Sequence, residues 1–192
     1  GFFKRFQRRL EQRLFARDVL FAGVSPAVQA ELAEAVPDPL CLPNALDLET
    51  MRAACLPRSE ALSRMGVAAS NDLTIGLVGR LVAKKSPELA IEAIRQLSAS
   101  GTAVRLLVIG DGPLRADLEK RAQGLPVTFL GFVAEAKQLF RAFDLLLLTS
   151  QEVEAFGMVA LEAMCAGLPV VAGPTPGPQY VLGSTGFYYN QR

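Results

Sequence analysis

The sequence predicts an α/β fold, a Rossmann-like doubly wound parallel sheet, and three observations carry that prediction. From residue 73 onward, short apolar runs alternate with longer mixed stretches of helical length. The apolar runs lack strict in–out alternation, as strands buried on both faces do. About half of the 192 residues (51%) are apolar, enough for a sizeable core.

Residues 2–16 place Phe2, Phe3, Phe6, Leu10 and Leu14 at helical spacing, with Lys4, Arg5, Arg8, Arg9 and Arg13 between them. This basic amphipathic helix reads either as a surface that lies on an anionic membrane or as an ordinary helix with a solvated arginine face. The chain opens inside it, so native sequence is expected upstream. Residues 19–24 read as a buried strand. Ser25-Pro26 caps and starts a helix running to about residue 35, and 39–42 form a short strand before the turn Pro43-Asn44-Ala45. Residues 47–71 read as connecting helices without strands. The expected division is therefore 1–45, a linker over 46–72, and a main domain over 73–192.

In that domain the strands are expected at 73–79, 104–110, 127–131, 144–150 and 168–173. The helices between them are expected near 86–99, 113–122, 135–142 and 157–167. Right-handed crossovers make such an alternation doubly wound. Ligands of these sheets bind at the carboxyl ends of the strands. Gly79-Arg80, Gly110 to Pro113, Gly131-Phe132, Ser150 to Gly157 and Gly173 to Pro178 occupy those ends.

The composition excludes several classes. A net charge of +1 argues against a nucleic-acid partner. Three scattered cysteines (Cys41, Cys55, Cys165) and no histidine give neither a disulfide framework nor zinc-ligand spacing. They read as reduced thiols of a cytosolic protein. No apolar run reaches the length of a membrane span, and no secretory signal is visible.

Glu162 is the only charged residue of 157–167, a helix apolar on nearly every side. Such a helix is expected to be buried, and a buried carboxylate needs hydrogen-bond donors, for which vicinal sugar hydroxyls are well matched. Glu154 precedes the helix, and Glu162 falls roughly 9 Å along its axis. The two acids thus bracket a helix N-terminus, whose free N–H groups favour a phosphate. Arg80, Lys84 and Lys85 bring cations to the same rim. Gly110-Asp-Gly-Pro resembles a dinucleotide fingerprint, but its third glycine would fall at Arg115, so the NAD reading is weak.

These residues resemble the E-x7-E motif of retaining glycosyltransferases of the GT-B fold, glycosyltransferase family 4, with Glu154 and Glu162 as its acids. VGRLVAKKSPELAIEAI, LLVIGDGPLRADLE, VTFLGFV, DLLLLTS, EAFGMVALEAMCAGLPVVAG and STGFYY are similar to the family's segments in their order. Upstream, AGVSPAVQAEL and LPNALDLE resemble the end of its N-terminal domain. The resemblance implies the C-terminal, donor-binding half of a GT-B fold, with residues 1–45 a remnant of the acceptor domain.

It implies that Glu162 holds the ribose hydroxyls and that Glu154 orients the donor sugar. Phe156, Gly157, Met158 and Val159 would meet sugar and phosphate through their backbone. Arg80 and Lys85, beside Gly79, would bind the leaving diphosphate, and Phe132 and Val133 would lie at the base. No metal and no cofactor is implied. The partners are a nucleoside-diphosphate sugar and a glycan or lipid-linked acceptor, as in cell-envelope polysaccharide or lipopolysaccharide synthesis. The setting is cytoplasmic, with peripheral association at the inner face of the plasma membrane through the N-terminal helix. Transfer by the 192-residue chain alone is expected to be poor. A nucleotide-sugar epimerase and a non-catalytic nucleotide-sugar-binding module are the alternatives. Three places depart from the pattern: Ser86 replaces a usual glycine, Ala155 replaces the glycine of E-G-F-G, and Tyr180 stands where a glutamate is usual.

Overall fold

A computed structural model describes residues 20–152 and 154–189; the basic helix expected over 2–16 lies outside them. The chain divides into two compact units, Gly1–Ala45 and Leu46–Arg192.

In the first unit, β1 (Ala22–Gly23) runs parallel to β2 (Leu40–Cys41), with α1 (Pro26–Ala33) between them in sequence. The Ser25 side chain accepts from the Val28 N–H, and Pro26, which has no N–H to lose, begins the helix. Gln29 Nε2 donates to the Pro39 carbonyl at 2.8 Å and ties the helix to the approach to β2.

The second unit begins with α2 (Leu48–Ala54) and α3 (Arg58–Arg64). The segment 46–72 carries two helices, as expected of its connecting helices, and Ala61 and Leu62 of α3 are buried in the main core. Then come β3 (Leu73–Val78), α4 (Glu88–Ala99), β4 (Val104–Ile109), α5 (Arg115–Arg121), β5 (Val127–Gly131), β6 (Leu145–Leu148), α6 (Met158–Cys165), β7 (Val170–Ala172), α7 (Pro176–Leu182) and β8 (Phe187–Tyr188). Residues Ala136–Ala142, expected as an α-helix, form a 3₁₀ helix. Two elements were not anticipated. α7 lies in a segment with prolines at 174, 176 and 178, which reads as a loop, yet Pro176 falls in the first turn, where proline is tolerated. β8 is only two residues long.

The six strands are all parallel, in the order β5-β4-β3-β6-β7-β8. This is the doubly wound order, which reverses between β3 and β6. Burial on both faces is visible residue by residue. On β4, Leu106 and Val108 enter one apolar cluster with Ala90, Ile91 and Ile94 of α4. Leu107 and Ile109 enter the other, with Phe140, Ala160 and Ala163. The period of two along a strand sends neighbours to opposite faces, and helices cover both.

Backbone bonds stitch the rim together. Gly79 N–H donates to the Ile109 carbonyl (2.9 Å), Leu81 N–H to Asp111 (2.9 Å), Leu114 N–H to Leu81 (3.1 Å) and Gly110 N–H to Gly131 (2.7 Å). A Cβ at Gly110, whose φ is +140°, would collide with the Gly79 carbonyl, and one at Gly112 with the Leu81 carbonyl. The Gly-Asp-Gly sequence therefore serves the close approach of two loops. Gly110→Ala should destabilise by about 2–4 kcal/mol, since both backbone geometry and space oppose it; urea denaturation against wild type measures this.

Candidate functional site

At the reversal point a cleft continuous with solvent opens between the carboxyl ends of β3 and β6. Leu77 to Leu81 line it from one strand, Leu148 to Ser150 from the other, and Lys85, Glu154, Gly157 and Val159 complete the wall. Of the residues expected at the site, Gly79, Arg80, Lys85, Glu154, Gly157 and Val159 therefore share one cleft. Phe132, Val133, Phe156, Met158 and Glu162 are not in its lining.

The loop after β3 and the loop after β6 meet through one ion pair. Lys85 Nζ lies 2.6 Å from both carboxylate oxygens of Glu154. Both side chains are about a quarter exposed, so solvent screens the pair only in part. Ser150 Oγ donates to Glu154 Oε2 at 2.9 Å, and Thr149 Oγ1 donates to the Lys85 backbone carbonyl at 2.7 Å. These two hydroxyls were not singled out in the sequence. The available signal was a pair of polar residues ending an all-leucine strand. Among the described residues, the Arg80 side chain makes no hydrogen bond or ion pair, so its guanidinium remains open to an anion.

The sharp turn that delivers Lys85 depends on Ser86, whose φ is +44°. That is the left-handed region, which explains the glycine usual at this position. Ser86 Oγ bonds the Ala83 carbonyl at 3.3 Å, a local bond that helps hold the turn.

Gly157, with φ +96°, is the N-cap of α6 and offers no side-chain cap. Among the described residues the N–H groups of Met158 and Val159 have no acceptor, so the helix presents free donors to an anion. The segment 173–180, which departs from the family pattern, packs against this loop. A Cβ on Gly177 would strike the Glu154 carbonyl and the Phe156 N–H, and Pro178 lies against Gly157. Phe156 is buried and meets the Tyr180 ring edge-on, with centroids 6.1 Å apart. Tyr180, where the family pattern has a glutamate, thus supports the loop through an apolar contact.

α6 is less enclosed than its composition implies. Ala160, Ala163 and Cys165 are buried, whereas Met164 is exposed and Glu162 about half-buried. The Glu162 carboxylate makes no hydrogen bond or ion pair among the described residues, although its backbone carbonyl accepts from the Ala166 N–H. Burial pushes its carboxyl above the ordinary value, and the Lys137 charge opposes this.

Comparison with known proteins shows the family and the fold. The family model for glycosyl transferases group 1 matches residues 72–192. The GDP-mannose-dependent alpha-(1-6)-phosphatidylinositol dimannoside mannosyltransferase of Mycobacterium tuberculosis is 34% identical over 138 residues, covering 70% of this chain and 35% of that protein. The 2-deoxystreptamine glucosyltransferase of Streptomyces kanamyceticus is 35% identical over 137 residues, covering 68% and 35%. The crystal structure of Anabaena HepE in complex with UDP-glucose superposes with a TM-score of 0.78 at 28% identity, covering 95% of this chain and 53% of HepE. The chain thus spans about a third of the length of these curated relatives. No helix among the described residues is long and apolar enough to cross a membrane.

The raised Glu162 value has a consequence for stability. An acid whose folded-state value lies above its unfolded value adds stability at low pH, and that stability is lost as the pH rises through the folded value. Glu162→Gln should therefore raise Tm at pH 7 and lose that gain below about pH 4; thermal melts of both proteins across this range measure it.

Proposed function

This chain belongs to the group 1 glycosyl transferases, and from that membership we propose that its second unit binds a nucleoside-diphosphate sugar. The hexose-like sugar would then pass, with retention of configuration, to a glycan or lipid-linked acceptor. The observation that carries the reading is the cleft at the strand-order reversal. There Arg80 and Lys85 line the same space as Glu154 and as Gly157 and Val159 at the start of α6.

The roles follow from charge and hydrogen-bonding capacity. Arg80 and Lys85 neutralise the diphosphate as it leaves, the step at which its charge grows. The N–H groups of Met158 and Val159 supply further donors at the helix N-terminus. Glu154 accepts from sugar hydroxyls. Glu162, half-buried and without a partner of its own, accepts from the ribose, whose paired hydroxyls suit a carboxylate. Phe132, highly exposed after β5, and Val133 flank the base. Because these cations and the helix end supply the positive charge, donor binding needs no metal.

The acceptor class is supported by the mycobacterial relative, whose name includes a phosphatidylinositol dimannoside. Cell-envelope polysaccharide or lipopolysaccharide synthesis suits such an acceptor. The relatives differ in donor, one being named for GDP-mannose and HepE being bound to UDP-glucose.

Calorimetry with UDP, GDP, UDP-glucose, GDP-mannose and NAD in the presence of EDTA tests the reading. One nucleoside diphosphate should bind with NAD clearly weaker, and Glu162→Ala should lower its affinity about tenfold or more, as expected for hydrogen bonds to a charged group. Tighter binding of NAD, or unchanged affinity in Glu162→Ala, would overturn the proposal.

A further inference from the structure

We propose that Thr149 and Ser150 are positioning residues that divide donor recognition between them, Thr149 serving the diphosphate and Ser150 the sugar. The inference rests on the donor-site reading above. β6 ends at Leu148, and the next two residues are hydroxyls, buried at 3% and 5% exposure on the wall of the cleft. Thr149 donates to the backbone carbonyl of Lys85 and so fixes the turn that carries the ammonium. Ser150 donates to one carboxylate oxygen of Glu154. Two consecutive residues thus hold Lys85, by its backbone, and Glu154, by its carboxylate, which come from different loops.

The division follows from what a donor must disturb. Lys85 bonds both oxygens of Glu154, and the two charges neutralise each other. A diphosphate offers that ammonium a stronger, doubly charged partner. Lysine is a point charge on a flexible stem, so it can turn toward phosphate while its backbone stays held by Thr149. Glu154 then keeps only the bond from Ser150. A carboxylate held at one oxygen presents its other lone pairs in a fixed direction, as sugar hydroxyls require. Without that bond the carboxylate is free to follow the lysine, and the sugar loses its acceptor while the diphosphate keeps its cations. Binding of the sugar-bearing donor, relative to the bare diphosphate, therefore depends on the Ser150 hydroxyl.

The test is calorimetry on the full 192-residue chain, with UDP and UDP-glucose as one probe pair and GDP and GDP-mannose as the other. In Ser150→Ala the ratio of sugar-donor to diphosphate affinity should fall about tenfold, the scale of one hydrogen bond to a charged group. Ser150→Thr, which restores the hydroxyl, should recover most of it. Thr149→Val should weaken both members of the pair to a similar extent. A Ser150→Ala ratio equal to that of wild type, a failure of Ser150→Thr to recover it, or a Thr149→Val effect confined to the sugar donor would overturn the inference. If Ser150→Ala melts early and binds nothing, Ser150→Cys, nearly isosteric and a weaker donor, must show the reduced ratio or the inference fails. Absence of binding by wild type to either diphosphate would instead remove the donor-site reading, and this inference with it.

Discussion

Everything at the cleft depends on the reversal of strand order between β3 and β6. These two strands lie side by side and parallel, but β3 leads through α4 to β4 on one side, while β6 leads through α6 to β7 on the other. The departing loops diverge and leave a crevice that the sheet cannot fill. Lys85 stands on one of these loops and Glu154 on the other. Their ion pair is a consequence of topology, because the residues are 69 positions apart in the chain.

The frame around this polar centre is apolar on both faces and leaves little freedom. Leu146 enters one cluster and Leu147 the other, so a one-residue slip of β6 would turn its core residues to the wrong face. That rigidity transmits to the rim through loops that approach within backbone contact, at Gly110, Gly112 and Gly177. It also sustains one strained residue, Ser86, in the left-handed region. A loop held in this way keeps the Lys85 ammonium beside the Glu154 carboxylate.

The site also illustrates how a family pattern tolerates substitution. At Tyr180 an edge-on contact with Phe156 supports the loop before α6, and Gly177-Pro178 fills the space beneath Gly157. This support is packing, a non-directional force that several residue types supply. The Lys85–Glu154–Ser150 arrangement is directional, and its partners are not interchangeable in the same way.

The sequence by itself determined the element order as far as β7, because strands buried on both faces and capped helices leave local signatures. The run Leu145 to Leu148 and the Ser25-Pro26 start are examples. It also marked Glu154, Lys85, Arg80 and Gly157 through their place at strand and helix ends. Only the tertiary structure decided that Lys85 faces Glu154 and that Thr149 and Ser150 hold them. It decided equally that Glu162 is half-buried and that residues 173–180 turn into a supporting helix. Local propensity acts over a few residues, whereas these features rest on contacts between loops that the parallel sheet brings together from distant parts of the chain.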